Sequence, residues 1–102
     1  MNIGIDLDGT AWDHREMFRE IILGLKSRGH KVQIITAHIN LVDADMRLWA
    51  NRGFPPVDGY ICKEDKDRNI PSREWKLPEA RKYGLDYIFD DFDTGEVRLI
   101  KV

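Results

Sequence analysis

Short apolar runs rich in β-branched residues alternate with stretches of helical periodicity along this chain, and that alternation restricts its fold more than any other feature. Asn2-Ile3-Gly4-Ile5-Asp6 is an apolar run that stops at an acidic, glycine-containing turn, as a buried strand does. Asp13-His14-Arg15-Glu16 has the spacing of a capping box, after which Met17, Phe18, Ile21, Ile22 and Leu25 recur on one helical face as far as Gly29. Lys31-Val32-Gln33-Ile34-Ile35-Thr36 reads as a second strand ending on a polar residue. Asn40 then stands where it can cap a helix with Val42, Met46, Trp49 and Ala50 on its apolar face, ended by Gly53 and Pro55-Pro56. Gly59-Tyr60-Ile61-Cys62 is a third strand, and residues 63–75 read as a charged loop containing Pro71. Lys76-Leu77-Pro78 is expected to open a short helix, with Pro78 in the first turn where a missing N–H costs nothing, and Gly84 to close it. Asp86-Tyr87-Ile88-Phe89 is a fourth strand, and Val97 to Val102 alternates apolar and polar as an edge strand does. Strands alternating with helices predict a parallel sheet covered on both faces, a three-layer α/β/α Rossmann-like architecture in one domain over residues 1–102.

Composition enters as a set of exclusions. With 42% apolar and 33% charged residues, the 102-residue chain has an ordinary globular balance. A formal net charge of -2, with 16 scattered basic residues, provides no field that would gather nucleic acid or an anionic membrane. Cys62 has no cysteine partner for an internal disulfide, which fits a reducing compartment, and the first strand starts too near Met1 for a signal peptide to precede it, so a cytoplasmic location is expected. No apolar run approaches the roughly 20 residues of a membrane span. A chain this short buries proportionally little surface, which makes a homo-oligomer plausible.

Three of the expected strands end in polar groups: the first in Asp6 and Asp8, the second in Thr36, the fourth in Asp90 and Asp91. In an open parallel sheet the carboxyl ends of the strands share one edge, where ligands bind, so these residues are expected to converge although they are distant in sequence. Four carboxylates in one crevice would repel one another unless a cation sat among them, and an all-oxygen site suits Mg²⁺. Thr36 adds a hydroxyl donor and Lys76 a positive charge, here expected beside the N–H groups at the start of a helix; together these suit a phosphate. Taken singly the residues say little, since an aspartate after a strand is more often a turn residue or a cap. Trp12, His14 and His38 stand close enough to the same edge to touch a substrate, or else to pack and cap. Trp49 is expected in the core, and Trp75 is open between core and loop.

Asp6-Leu7-Asp8-Gly9-Thr10 resembles the first motif, DxDGT, of the haloacid dehalogenase (HAD) superfamily, placed after an N-terminal strand as in that family. Ile34-Ile35-Thr36 resembles the second motif, Lys76 the lysine of the third, and Tyr87-Ile88-Phe89-Asp90-Asp91 the acidic fourth motif in its paired-aspartate form. The resemblance implies a Mg²⁺-dependent phosphohydrolase. Asp6 would be the nucleophile that becomes an aspartyl phosphate, and Asp8 would protonate the leaving oxygen, deprotonate the attacking water and offer its backbone carbonyl to the metal. Asp91 would ligate Mg²⁺ directly with Asp90 behind it, while Gly9, Thr36 and Lys76 would hold the phosphate, Lys63 being the alternate lysine. About two dozen residues separate the second helix from Lys76, too few for an inserted cap domain. An open crevice is expected, suited to a macromolecular substrate, to a cap from another subunit or to broad use. Nucleotides, nucleic-acid ends and phosphoproteins remain candidate substrates. The competing readings are a receiver-like domain that accepts a phosphoryl group as a signal and a binding protein that keeps the fold without turnover.

Overall fold

The computed structural model describes residues 1–39, 43–91 and 99–101. The apolar runs form five strands, β1 (Asn2–Ile5), β2 (Lys31–Ile39), β3 (Gly59–Lys63), β4 (Tyr87–Asp90) and β5 (Leu99–Lys101). The helices are α1 (Arg15–Ser27), α2 (Asp43–Asn51) and α3 (Ser72–Lys82). All described pairings are parallel and the strands lie in the order β3-β2-β1-β4-β5. That order turns back on itself between β1 and β4, which is where an open α/β sheet leaves a crevice at its carboxyl edge. It differs from the 2-1-3-4-5 order of a flavodoxin-like sheet, the topology a receiver-like domain requires, because β3 lies outside β2 rather than beside β1.

Alternation along the strands divides the apolar residues between two layers. On one face Ile5, Val32 and Ile34 pack with Phe18 and Ile22 of α1, Trp49 of α2 and Phe54. On the other, Ile35, Ile61 and Ile88 pack with Trp75 and Ala80 of α3 and with Leu85. The helices therefore flank the sheet on both sides, and Trp49 and Trp75 belong one to each core. Gly4 faces the α3 layer, where an added Cβ would lie 2.7 Å from Leu85 Cδ1 and 3.0 Å from Ile35 Cγ2, so the bare backbone of β1 is what lets Leu85 seat against it. No described helix is long and apolar enough to cross a membrane.

Three expected boundaries move. Helix α1 is entered through His14 rather than Asp13, and His14 makes no side-chain cap bond, because the backbone of the preceding turn has already set the direction of entry. The loop expected at residues 63–75 contains a short 3₁₀ turn, Asp65–Asp67, and the first turn of α3. Helix α3 starts at Ser72, with the Trp75 N–H donating to Pro71 O at 3.0 Å, so Lys76 lies one turn inside it instead of at its start. Pro78 is then an interior proline that removes the N–H its turn would have given to Glu74 C=O. The expected cap Asn40 and Val42 lie outside the described residues, as do Val97, Arg98 and Val102 of the expected edge strand.

Candidate functional site

Asp6 directly follows β1, and its N–H donates to Phe89 O on β4 at 3.0 Å, so the sheet itself holds the residue at the reversal point. The chain then makes a wide turn over Leu7–Ala11, in which Ala11 N–H donates to Asp6 O at 3.2 Å and Trp12 N–H to Leu7 O at 3.0 Å. Inside it Asp8 is extended (φ -69°, ψ 128°) and Gly9 takes φ +78°. A side chain at Gly9 would place its Cβ 2.3 Å from Asp91 Oδ2, so both the dihedral and the neighbouring carboxylate exclude one. Buried Thr10 closes the turn by donating its hydroxyl to Asp6 Oδ2 at 3.3 Å. Asp8 is exposed at the mouth.

On the opposite face, Lys76 reaches from α3 into the sheet edge. Its Nζ lies 2.8 Å from Asp6 Oδ1 and 2.6 Å from Asp90 Oδ2, and the three residues are 2%, 5% and 1% exposed. The other oxygen of Asp90 accepts the Asp91 N–H at 2.8 Å, so Asp90 is engaged by the protein on both sides while Asp91 faces solvent. A single ammonium between two buried carboxylates, with a third outside, leaves surplus negative charge. Burial accordingly pushes Asp6 above the ordinary 3.8 and Asp90 up to about 7, against the lowering pull of Lys76 in both cases. Such a group gains from a proton or a cation. One carboxylate oxygen from each of Asp6, Asp90 and Asp91 lies within 4.8 Å of the others, an all-oxygen set whose chemistry fits a hard divalent ion. The Asp8 carboxylate is not among these three residues; its expected contact was through the backbone carbonyl.

A crevice of about 280 Å³ brings these residues together, lined by Asp6, Asp8, Thr36, Ala37, Ser72, Lys76, Asp90 and Asp91. Thr36 is buried in β2, immediately before a register shift: Thr36 pairs with Cys62 and Ile39 with Lys63, so the strand bulges at the crevice wall. Lys63, the alternate lysine, is buried elsewhere, its Nζ bonded to Ile70 O and lying 3.5 Å from Arg68 O. Trp12 is half-buried against the rings of Trp49 and Phe54, centroids 5.7 and 5.6 Å away, with the Arg52 guanidinium 4.4 Å above it, so its ring is taken up in packing. His14 is exposed at the start of α1, and the side chain of His38 lies outside the described residues.

Two lining residues escape the motif reading. Ala37 carries no chemical signal. Ser72 does have one, because Pro71-Ser72 followed by Glu74 is a helix-start signature, and a start there places Ser72 and Lys76 four residues apart on one helical face. No family model, curated protein or solved structure matches this sequence.

Proposed function

We propose that this chain is a Mg²⁺-dependent phosphomonoesterase of the HAD type, without a cap domain, that works through an aspartyl phosphate. The observation that carries the reading is the meeting of Asp6, Asp8, Thr36, Lys76, Asp90 and Asp91, contributed by four separate segments, in one small crevice at the reversal of strand order. A carboxylate nucleophile, an exposed second carboxylate, a hydroxyl, a buried ammonium and an acidic pair are the groups phosphoryl transfer needs. Held by Asp6, Asp91 and the Asp8 carbonyl, Mg²⁺ would supply charge compensation between the carboxylate nucleophile and the phosphate. Asp90 braces that set from behind through its bonds to Lys76 and the Asp91 N–H.

In the first step an Asp6 oxygen bonds to phosphorus as the ester P–O bond breaks, and Asp8 gives its proton to the departing alkoxide oxygen. In the second, Asp8 takes a proton from water, whose oxygen bonds to phosphorus as the Asp6 O–P bond breaks, releasing inorganic phosphate. Lys76 fixes the orientation of the Asp6 carboxylate and brings positive charge to the transferring group, with the Thr36 hydroxyl on the same wall. Gly9 keeps the turn clear of a side chain where the phosphoryl group enters. The connections from β1 to α1 and from β3 to α3 are a few residues long, which favours an open site and a phosphorylated substrate that extends into solvent.

Phosphate release from a panel of nucleotides, phosphorylated oligonucleotide ends and phosphopeptides, with Mg²⁺ or with EDTA, tests the reading. Turnover is expected only with the metal, and Asp6→Asn should lower it by about a thousandfold or more while the circular dichroism spectrum persists. Absence of release from every compound, with Mg²⁺ bound, would favour a binding protein instead.

A further inference from the structure

Lys63 is a buried cation that the proposed chemistry does not use. It ends β3, one residue past the pairing of Cys62 with Thr36, is 5% exposed, and does not line the crevice. Its ammonium donates to Ile70 O and lies 3.5 Å from Arg68 O, two carbonyls of the connection that leads into α3. The backbone bonds inside that connection close on itself, Asp67 N–H to Glu64 O, Arg68 to Asp65 O and Ile70 to Asp67 O, at 3.0, 3.1 and 3.0 Å. Its ion pairs, Lys66 with Glu64 and Arg68 with Asp65, are exposed and equally local. Two residues after Ile70 comes Ser72 in the crevice wall, and one turn later Lys76 on Asp6. Burying an ammonium is a costly way to fill space that a methionine would fill without desolvation. What the charge adds is directional bonding to a segment whose other bonds are local.

We propose that Lys63 is a positioning residue: it holds the 64–71 connection against the end of β3 and so sets where the first turn of α3 presents Ser72 and Lys76 to the phosphoryl group. This rests on the phosphohydrolase reading. The acidic residues sit on β1 and β4, outside the connection, so binding of the metal and binding of the phosphate separate in the test.

Lys63→Met should raise KM for a phosphomonoester about tenfold, leave the calorimetric Mg²⁺ affinity unchanged, and speed amide exchange at residues 68–74 without affecting β1 or β4. Lys63→Arg, which keeps the donors, should restore KM. Wild-type KM and wild-type exchange at 68–74 in Lys63→Met would overturn the proposal, as would exchange quickened equally across β1 and β4, the mark of a general packing residue. If Lys63→Met does not fold, Lys63→Gln, with one amide donor on a shorter stem, gives the same comparison. A wild-type protein that releases no phosphate would defeat the enzymatic reading, and the exchange pattern alone would then decide whether Lys63 is a clamp.

Discussion

Replacing Lys76 by methionine keeps the length of the side chain and removes the ammonium that sits 2.8 Å from Asp6 and 2.6 Å from Asp90. Taking one partner from a buried ion pair typically costs about 3–5 kcal/mol, because the remaining charge is left uncompensated. Here the remaining charges can escape by taking up protons, so the cost must depend on pH. Neutralising a carboxyl whose ordinary pKa is 3.8 costs about 1.4 kcal/mol for each pH unit above that value. At pH 5 Asp90, already pushed up to about 7, carries its proton in the native protein, so the variant has to neutralise only Asp6. That sets a loss of about 2 kcal/mol at pH 5. At pH 8 both carboxylates are ionised beside Lys76 in the native protein, and the loss should reach the full range of about 3–5 kcal/mol. Urea unfolding of both proteins in EDTA at pH 5 and pH 8 reads the two values directly. A loss below about 1 kcal/mol at pH 8, or one that is the same at both pH values, would mean that Lys76 does not compensate these carboxylates as its position requires.

The native protein should show the same electrostatics without any change to Lys76. Because the folded pKa of Asp90 lies above its ordinary 3.8, the native state holds a proton that the unfolded chain gives up, and its contribution to stability falls as pH rises toward 7. In EDTA the stability of wild type minus that of Asp90→Asn should therefore drop by up to about 3 kcal/mol between pH 5 and pH 7, and a flat or rising difference would contradict it. Gly9→Ala combines the strain of φ +78° with a methyl 2.3 Å from Asp91 Oδ2. It should lower stability by about 1–2 kcal/mol and, by displacing Asp91, weaken calorimetric Mg²⁺ binding about tenfold or more; native values of both would refute the contact.

The layered α/β architecture was legible in the sequence because hydrophobic periodicity is local: a β-branched run ending in Asp6 or Thr36 and an apolar face repeating from Met17 to Leu25 each announce their element within a few residues. The convergence of Asp6, Thr36, Asp90 and Asp91 was equally legible, since parallel strands bring their carboxyl ends to one edge. Lys76 and Lys63 could not be told apart in that way. Both follow apolar or aromatic neighbours in a charged stretch, and only the packing of Trp75 and Ala80 against the sheet turns Lys76 inward, while Lys63 is turned to the carbonyls of Arg68 and Ile70. The start of α3 was misplaced because Pro78 in a first turn is locally the cheaper arrangement. The sheet makes the longer helix worthwhile by burying Trp75, a gain on the scale of about 1.5–3 kcal/mol for a large apolar side chain. Strand order, and with it the distinction from a receiver-like sheet, also belongs to the tertiary structure. Each strand carries the same local pattern wherever it lies, and its neighbours are chosen by how two helical layers cover the faces. The sequence determined which residues could meet at the edge of the sheet; the packing of α3 decided which lysine faces the carboxylates there.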